Sequence, residues 1–307
     1  RQMCIRDSYN MADTIIVGRT ISVEALAAVG ATGSISFLIV GFVQGVTSGF
    51  AVITAQRFGA GSENGVRRSV ATSIILGIAV TIVMTAISVL AARPLLEIMK
   101  TPSDIIDDSY NYIIVIFEGI AAAVFFNLFS SILRSLGDSK TPLVFLIIAS
   151  IINIILDFVF ILTFKMGVAG AGWATVIAQF ISGILCFVYS LKKFPILRLT
   201  KHDWKFSWKF AWQHLEVGLP MAFQFSITAI GTMVIQSALN SLGSTAVAAF
   251  TAGSKIDQFA TQPLASLGVA VATYTAQNYG ARELERIKKG VTGAAIIATV
   301  CGIVGGF

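Results

Sequence analysis

Apolar runs of membrane-crossing length recur along this chain, at about 24–50, 69–92, 110–133, 142–164, 168–191, 216–240 and 245–276. Partial runs lie at 9–18 and 291–307. About 20 apolar residues in a helix cross a ~30 Å hydrocarbon core, and soluble domains do not repeat such runs. Backbone groups find no water in lipid, so each run must be helical. Composition agrees: 55% of the 307 residues are hydrophobic and 12% charged, about half the charged share of a soluble domain. Mean hydropathy is +0.81. The expectation is an all-α polytopic membrane protein with seven complete spans and two partial ones.

The ends are expected to be incomplete. "RQMCIRDS" (1–8) is polar, lacks the apolar core of a signal peptide and changes abruptly into "YNMADTIIVG". It reads as a non-native string, and the chain as truncated at both ends. Cys4, Cys186 and Cys301 are isolated, so neither a disulfide framework nor a zinc site is indicated.

The net charge of +6 follows topology. The inter-span segments 57–68, 134–141, 192–210 and 277–290 carry fifteen Lys and Arg. The opposite set carries four: Arg19, Arg93, Lys100 and Lys165. Lys/Arg-rich loops face the cytoplasm, which puts the first set and the chain start inside. No nucleic-acid partner is expected. Segment 192–215 combines Trp204, Trp208 and Trp212 with Lys201, Lys205 and Lys209, both at i, i+4, i+8. That spacing predicts a helix lying among lipid headgroups.

Shifting the sequence by 221 residues aligns "TAQRFGA" (54–60) with "TAQNYGA" (275–281), and "EALAAVGA" (24–31) with "TAVAAFTA" (245–252). Two similar halves are a common transporter plan, with the binding cavity between them. Six spans per half and one cytoplasmic linker fit the offset. The expected division is an N-terminal lobe at 9–191, a basic and aromatic linker at 192–215, and part of a C-terminal lobe at 216–307.

"YNMADTIIVGR", "ALAAVGA", "TAQRFGAG", "LRSLGDSKTPL", "GVAGAGWATVIAQ", "EVGLP" and "AQNYGA", in that order from Tyr9 onward, together resemble the MATE (multidrug and toxic compound extrusion) family. The resemblance implies a V-shaped pair of six-helix lobes. It also implies export of organic, often cationic, compounds driven by inward H⁺ or Na⁺.

Polar groups inside the apolar runs are the candidate site. Asp13 lies in the first run, Asn153 and Asp157 in the fifth, and Thr175 in the sixth. Asn153 and Asp157 are four apart and project from one helical face. A carboxylate at mid-membrane costs ~2.5–3.5 kcal/mol on insertion scales. Two carboxylates with an amide and a hydroxyl can hold a proton or a hard, oxygen-seeking cation such as Na⁺. The set is also similar to the cation site of the DinF-like branch of the family, with an Asp in span 1, Asn-x-x-x-Asp in span 5 and Thr in span 6. The NorM-like branch uses a Glu in span 7, where this chain has Thr228, eight residues after Pro220. The alternative is that Asp13 caps a helix end while Asn153 and Asp157 hydrogen-bond helices together.

Glu118, Gln224, Lys255, Asp257 and Gln258 are candidate substrate-cavity residues. Interhelical hydrogen bonding and snorkelling to water are the plainer alternatives. No HExxH, Walker or GxSxG motif occurs, and the two histidines, His202 and His214, fall in or beside the interfacial segment. No enzyme activity, organic cofactor or resident metal beyond a coupling Na⁺ is expected. The expected function is cation-coupled export of a small-molecule substrate by a monomer in a prokaryotic inner membrane, with a lipid-linked precursor flippase as the alternative.

Overall fold

The computed structural model describes residues 16–103, 105–240, 261 and 264–305. After a helical stub at 16–20, the helices are α1 (Val23–Ala31), α2 (Gly33–Gly59), α3 (Glu63–Ile98), α4 (Ile106–Glu118), α5 (Ile120–Ser135) and α6 (Lys140–Phe158). A π-helix at Val159–Thr163 follows, then α7 (Gly167–Lys193) and α8 (Trp208–Asn240). A helix at 264–280, α9, and α10 (Leu284–Gly305) complete the chain. Among the described residues five helices are long and apolar enough to cross a membrane, and α4 with α5, bent by 48° at Gly119, make a sixth if the pair is one span. The expected runs from 24–50 through 216–240 each overlap one of these six. The run at 245–276 lies mostly outside the described residues.

Helix bounds differ from the apolar runs in a consistent direction, because helices continue past the lipid boundary into charged sequence. Arg57 sits in the last turn of α2, Arg67 and Arg68 inside α3, and Arg134 inside α5. The run at 24–50 is also two helices, since Thr32 separates α1 from α2 and turns its Oγ1 onto the Val29 carbonyl at 2.7 Å.

The lipid-facing and inward-facing stripes of α6 explain why its polar residues are tolerated. Val144, Ile147, Ile148, Ile151, Ile155 and Phe158 are exposed, whereas Leu146, Ala149, Asn153 and Asp157 are buried on the other side. Both stripes keep helical spacing. In α7 the buried stripe is Ala171, Thr175, Ala178, Ser182, Cys186 and Ser190. Small side chains there let neighbours approach, as packing in lipid demands. A Cβ on Gly172 would come within 3.1 Å of Val115, and one on Gly170 within 3.1 Å of Phe160. The glycines of "GVAGAGWA" thus serve close helix packing.

"LRSLGDSKTPL" ends α5 in a Schellman motif. Gly137 takes φ +92, and the amides of Gly137 and Asp138 reach back to the carbonyls of Arg134 and Leu133, both at 3.0 Å. Asp138 then accepts from the backbone and hydroxyl of Thr141. Burial pushes its carboxyl up, but these bonds and those from Tyr189 and Lys140 outweigh it and hold Asp138 below its ordinary range.

The segment before α8 is not the expected amphipathic helix. Residues 200–207 form turns and extended chain, and α8 starts at Trp208. Trp208 and Trp212 therefore share a helix and Trp204 does not, although all three are exposed. The cause is Asp203, whose Oδ2 accepts from both the backbone N–H and the hydroxyl of Thr200 at 2.7 Å. It also lies 3.9 Å from Arg67 Nε. This side-chain turn competes with a helix at the same residues.

Burial would raise the Asp203 carboxyl, yet the Thr200 bonds and the Arg67 charge hold it below its ordinary value. A depressed carboxyl contributes stability above its unfolded value of ~3.9 and loses it as pH falls through the folded value. Asp203→Asn is expected to cost about 1 kcal/mol at neutral pH. The difference from the unmodified protein should vanish in acid below the folded value, as read by thermal unfolding in detergent across that range.

The two copies of the TAQ motif fold alike and meet. After α2, Gly61 takes φ +67, and after α9 Arg282, its counterpart at +221, takes φ +60. The bonds around them correspond pairwise: Ala60 to Gln56 and Ala281 to Gln277 at 3.0 Å, Ser62 to Arg57 at 3.1 Å and Glu283 to Asn278 at 2.9 Å. Across the seam a Cβ on Gly59 would strike the Gln277 carbonyl, and one on Gly280 would strike the Gln56 carbonyl. That reciprocity is what a pseudo-two-fold axis between repeats produces.

Candidate functional site

Asn153 and Asp157 come from α6 and Thr175 from α7, as their buried stripes require. Asn153 is 1% exposed, Asp157 0% and Thr175 7%. Asn153 Nδ2 donates to Thr175 Oγ1 at 3.4 Å. Asn153 Oδ1 is buried and accepts no hydrogen bond among the described residues. A buried carbonyl oxygen left this way is costly unless something electropositive reaches it. The structure thus brings together three of the four expected residues. Asp13, the fourth, lies outside the described residues. Ile16 and Val17, shortly after it, share a packed cluster with Ile161, Val168 and Ala171, so the described stub at 16–20 packs against the π-helix and α7.

Two features here were not in the sequence reading. The α6 helix changes to a π-helix two residues after Asp157, with the Phe164 amide bonding the Val159 carbonyl at 3.0 Å. Such bulges gather at functional sites, but nothing in "VFILT" marks one. Gln179 and Ser182 line, with Asn153 and Thr175, a cavity of about 10 Å³ against Phe126 and Leu146, roughly one water in size. Ser182 Oγ is buried with no partner among the described residues. Their spacing of four and seven from Thr175 made them legible in principle.

The expected substrate-cavity residues do not assemble here. Glu118 is exposed at the α4–α5 bend, and Gln224 is exposed on α8, its carbonyl accepting from Thr228 Oγ1 at 2.9 Å. Lys255, Asp257 and Gln258 lie outside the described residues. A second cavity, of about 720 Å³, opens at the seam between repeats. Gln56, Arg57, Gln213, Glu216, Tyr279 and Arg282 line it, and neither Glu118 nor Gln224 does.

His214 also differs from expectation. Because α8 begins at Trp208, His214 falls in its second turn and is 0% exposed. Contacts at the same end join the basic segments to one another. Arg57 Nη2 donates to Gln213 Oε1 at 3.3 Å, and Gln277 Nε2 donates to the Ser135 carbonyl at 2.9 Å. Arg57 and Arg68 lie over the Phe210 ring at 5.3 and 5.6 Å. The Lys/Arg-rich segments therefore gather at one end of the bundle, as their alternation along the chain requires.

Paired repeats of membrane-crossing helices, meeting at one end and carrying a buried oxygen-rich site, define a polytopic helical membrane protein. The MatE family profile matches residues 2–159 and 220–307; the chain belongs to this family, whose members are transporters. Among relatives, it is 30% identical over 280 residues to the probable multidrug resistance protein YoeA of Bacillus subtilis, covering 89% of this chain and 60% of that protein. It is likewise 30% identical over 284 residues to the probable multidrug resistance protein YpnP of the same organism, covering 91% and 62%. A crystal structure of MATE in the bent conformation superposes with a TM-score of 0.88 at 26% identity, covering 99% of this chain and 68% of that one. The chain thus spans about 60% of the length of these curated relatives.

Proposed function

We propose that the protein of which this chain is part is a cation-coupled antiporter that exports organic, mainly cationic, compounds from a prokaryotic cell. The coupling site is the N-terminal-lobe set Asp13, Asn153, Asp157 and Thr175, the arrangement of the DinF-like branch. The observation that carries the reading is the buried pairing of Asn153 with Thr175 one turn from a fully buried Asp157, with Asn153 Oδ1 left as an open acceptor. A carboxylate, an amide oxygen and a hydroxyl suit a proton or Na⁺, both of which are held by oxygen. Binding or release there changes charge inside the lobe and biases it between two packings, so that inward movement of the cation is exchanged for outward release of substrate.

The basic end, where the repeats meet, is taken as cytoplasmic, with the chain start on that side. Names of the Bacillus relatives support drug-like substrates. Everted vesicles carrying the intact transporter and a fluorescent organic cation test the proposal, with ΔpH and a Na⁺ gradient imposed separately. Uptake into the vesicles driven by at least one gradient is expected, and uptake indifferent to both overturns antiport.

A further inference from the structure

A buried polar chain crosses the basic end of the bundle and contributes nothing to the Asp157 site. His214 Nδ1 lies 2.9 Å from the Phe210 carbonyl, which can only accept, so Nδ1 carries the hydrogen. Nε2 lies 2.9 Å from Ser69 Oγ in α3, and Ser69 Oγ lies 2.9 Å from Thr54 Oγ1 in α2. Thr54, Ser69 and His214 are all 0% exposed. With an uncharged ring the hydrogens run one way: Thr54 donates to Ser69, Ser69 to Nε2, and Nδ1 to Phe210. Each contact then holds one hydrogen.

The surroundings suit only that form. Phe50 and Phe210 meet the ring edge-on at 6.0 and 5.0 Å. From α2 Arg57, and from α3 Arg68, both stack on Phe210. Arg67 of α3 is engaged with Glu63 and Asp203. On α8 itself Lys209 and Glu216 are exposed. Among the described residues no carboxylate pairs with the ring. A second ring proton would sit on Nε2, where Ser69 already points its own hydrogen, close to two guanidinium groups.

We propose that Thr54, Ser69 and His214 form a proton-released latch. While the imidazole is uncharged it ties α8, from the second repeat, to α2 and α3 of the first and keeps the cytoplasmic ends closed. Protonation from the cytoplasm turns Ser69 away and lets the ends part. This rests on the reading that the repeats separate at this end during transport. His214 is a positioning residue, remote from the coupling ion.

The test measures distance, so it needs no substrate. Cys4, Cys186 and Cys301 are replaced, and spin labels are placed on Lys140→Cys and Glu285→Cys, exposed positions at the basic end on opposite sides of the seam. The intact transporter in lipid nanodiscs is compared at about pH 8 and about pH 5.5. The long-distance population is expected to rise about tenfold across this interval, whose lower end lies below a histidine's ordinary titration, as a ring held in surroundings that favour its uncharged form requires. The same rise is expected in Asp157→Asn, whose coupling carboxylate is gone. It should disappear in His214→Gln, which can still hydrogen-bond but does not titrate. Ser69→Ala should show the long population already at the higher pH. An equal pH response in His214→Gln, no response in the unmodified protein, or a response lost in Asp157→Asn each overturns the latch. The last outcome assigns the pH response to the coupling site instead.

Discussion

Asp157→Asn is expected to abolish gradient-driven efflux while leaving the protein folded, inserted and no less stable. The substitution keeps the shape of the side chain and removes its charge and its proton. At 0% exposure the native carboxylate bears the desolvation cost of a charge in the membrane interior, ~2.5–3.5 kcal/mol on insertion scales. An amide avoids most of that cost, so the thermal midpoint in detergent should stay level or rise. Transport should fall to the background of empty vesicles, because no ionisable group is left in the buried stripe of α6 to change charge as the coupling cation binds and leaves. Opposite movement of stability and activity is the mark of a residue kept for function. A structural carboxylate that merely glued helices would give the reverse: lost stability with residual transport. Full drug export by the Asn variant overturns the coupling role.

What the sequence revealed, and what it did not, divides along a physical line. The α6 stripes were legible because they depend only on the period of a helix: Asn153 and Asp157 share a face whatever surrounds them, and that face proved to be the buried one. The Gly137 turn likewise depends on one residue with φ > 0, a conformation that glycine adopts without steric cost. Thr175, 22 residues from Asn153, was found by resemblance, and no period could have joined it to α6. The failures need tertiary context. Trp204, Trp208 and Trp212 keep a helical spacing, yet Asp203 binds Thr200 and Arg67 and turns the chain before Trp208. His214 looked interfacial because charged residues precede it, whereas α8 begins early enough to bury it. The π-helix after Asp157 and the 48° bend at Gly119 left no mark in apolar sequence. What the fold adds at Gly119 is a close approach: a Cβ there would strike the Val176 side chain.

Gly59→Ala and Gly280→Ala are each expected to destabilise the protein by about 1–3 kcal/mol, the usual range for overpacking, and to impair transport. The contact on each side is backbone: a methyl on Gly59 meets the Gln277 carbonyl and one on Gly280 meets the Gln56 carbonyl. A clash with a flexible side chain could be relieved by a rotamer change. Here α2 or α9 must move as a whole. Such a shift also pulls on the Gln277–Ser135 bond at 2.9 Å, so both variants should hold the basic ends apart. Because the two glycines occupy equivalent places in the repeats, the two effects should be similar. The double variant should fall short of their sum, since one displacement relieves both clashes. Gly293→Ala in α10 is the matched control. Nothing lies within 4 Å of a Cβ there, and alanine in place of glycine stabilises a helix interior by up to ~1 kcal/mol. Thermal unfolding of all four variants in one detergent separates the cases. If Gly59→Ala proves as stable as Gly293→Ala, the two repeats do not meet backbone to backbone at this seam, and the pseudo-two-fold contact is wrong.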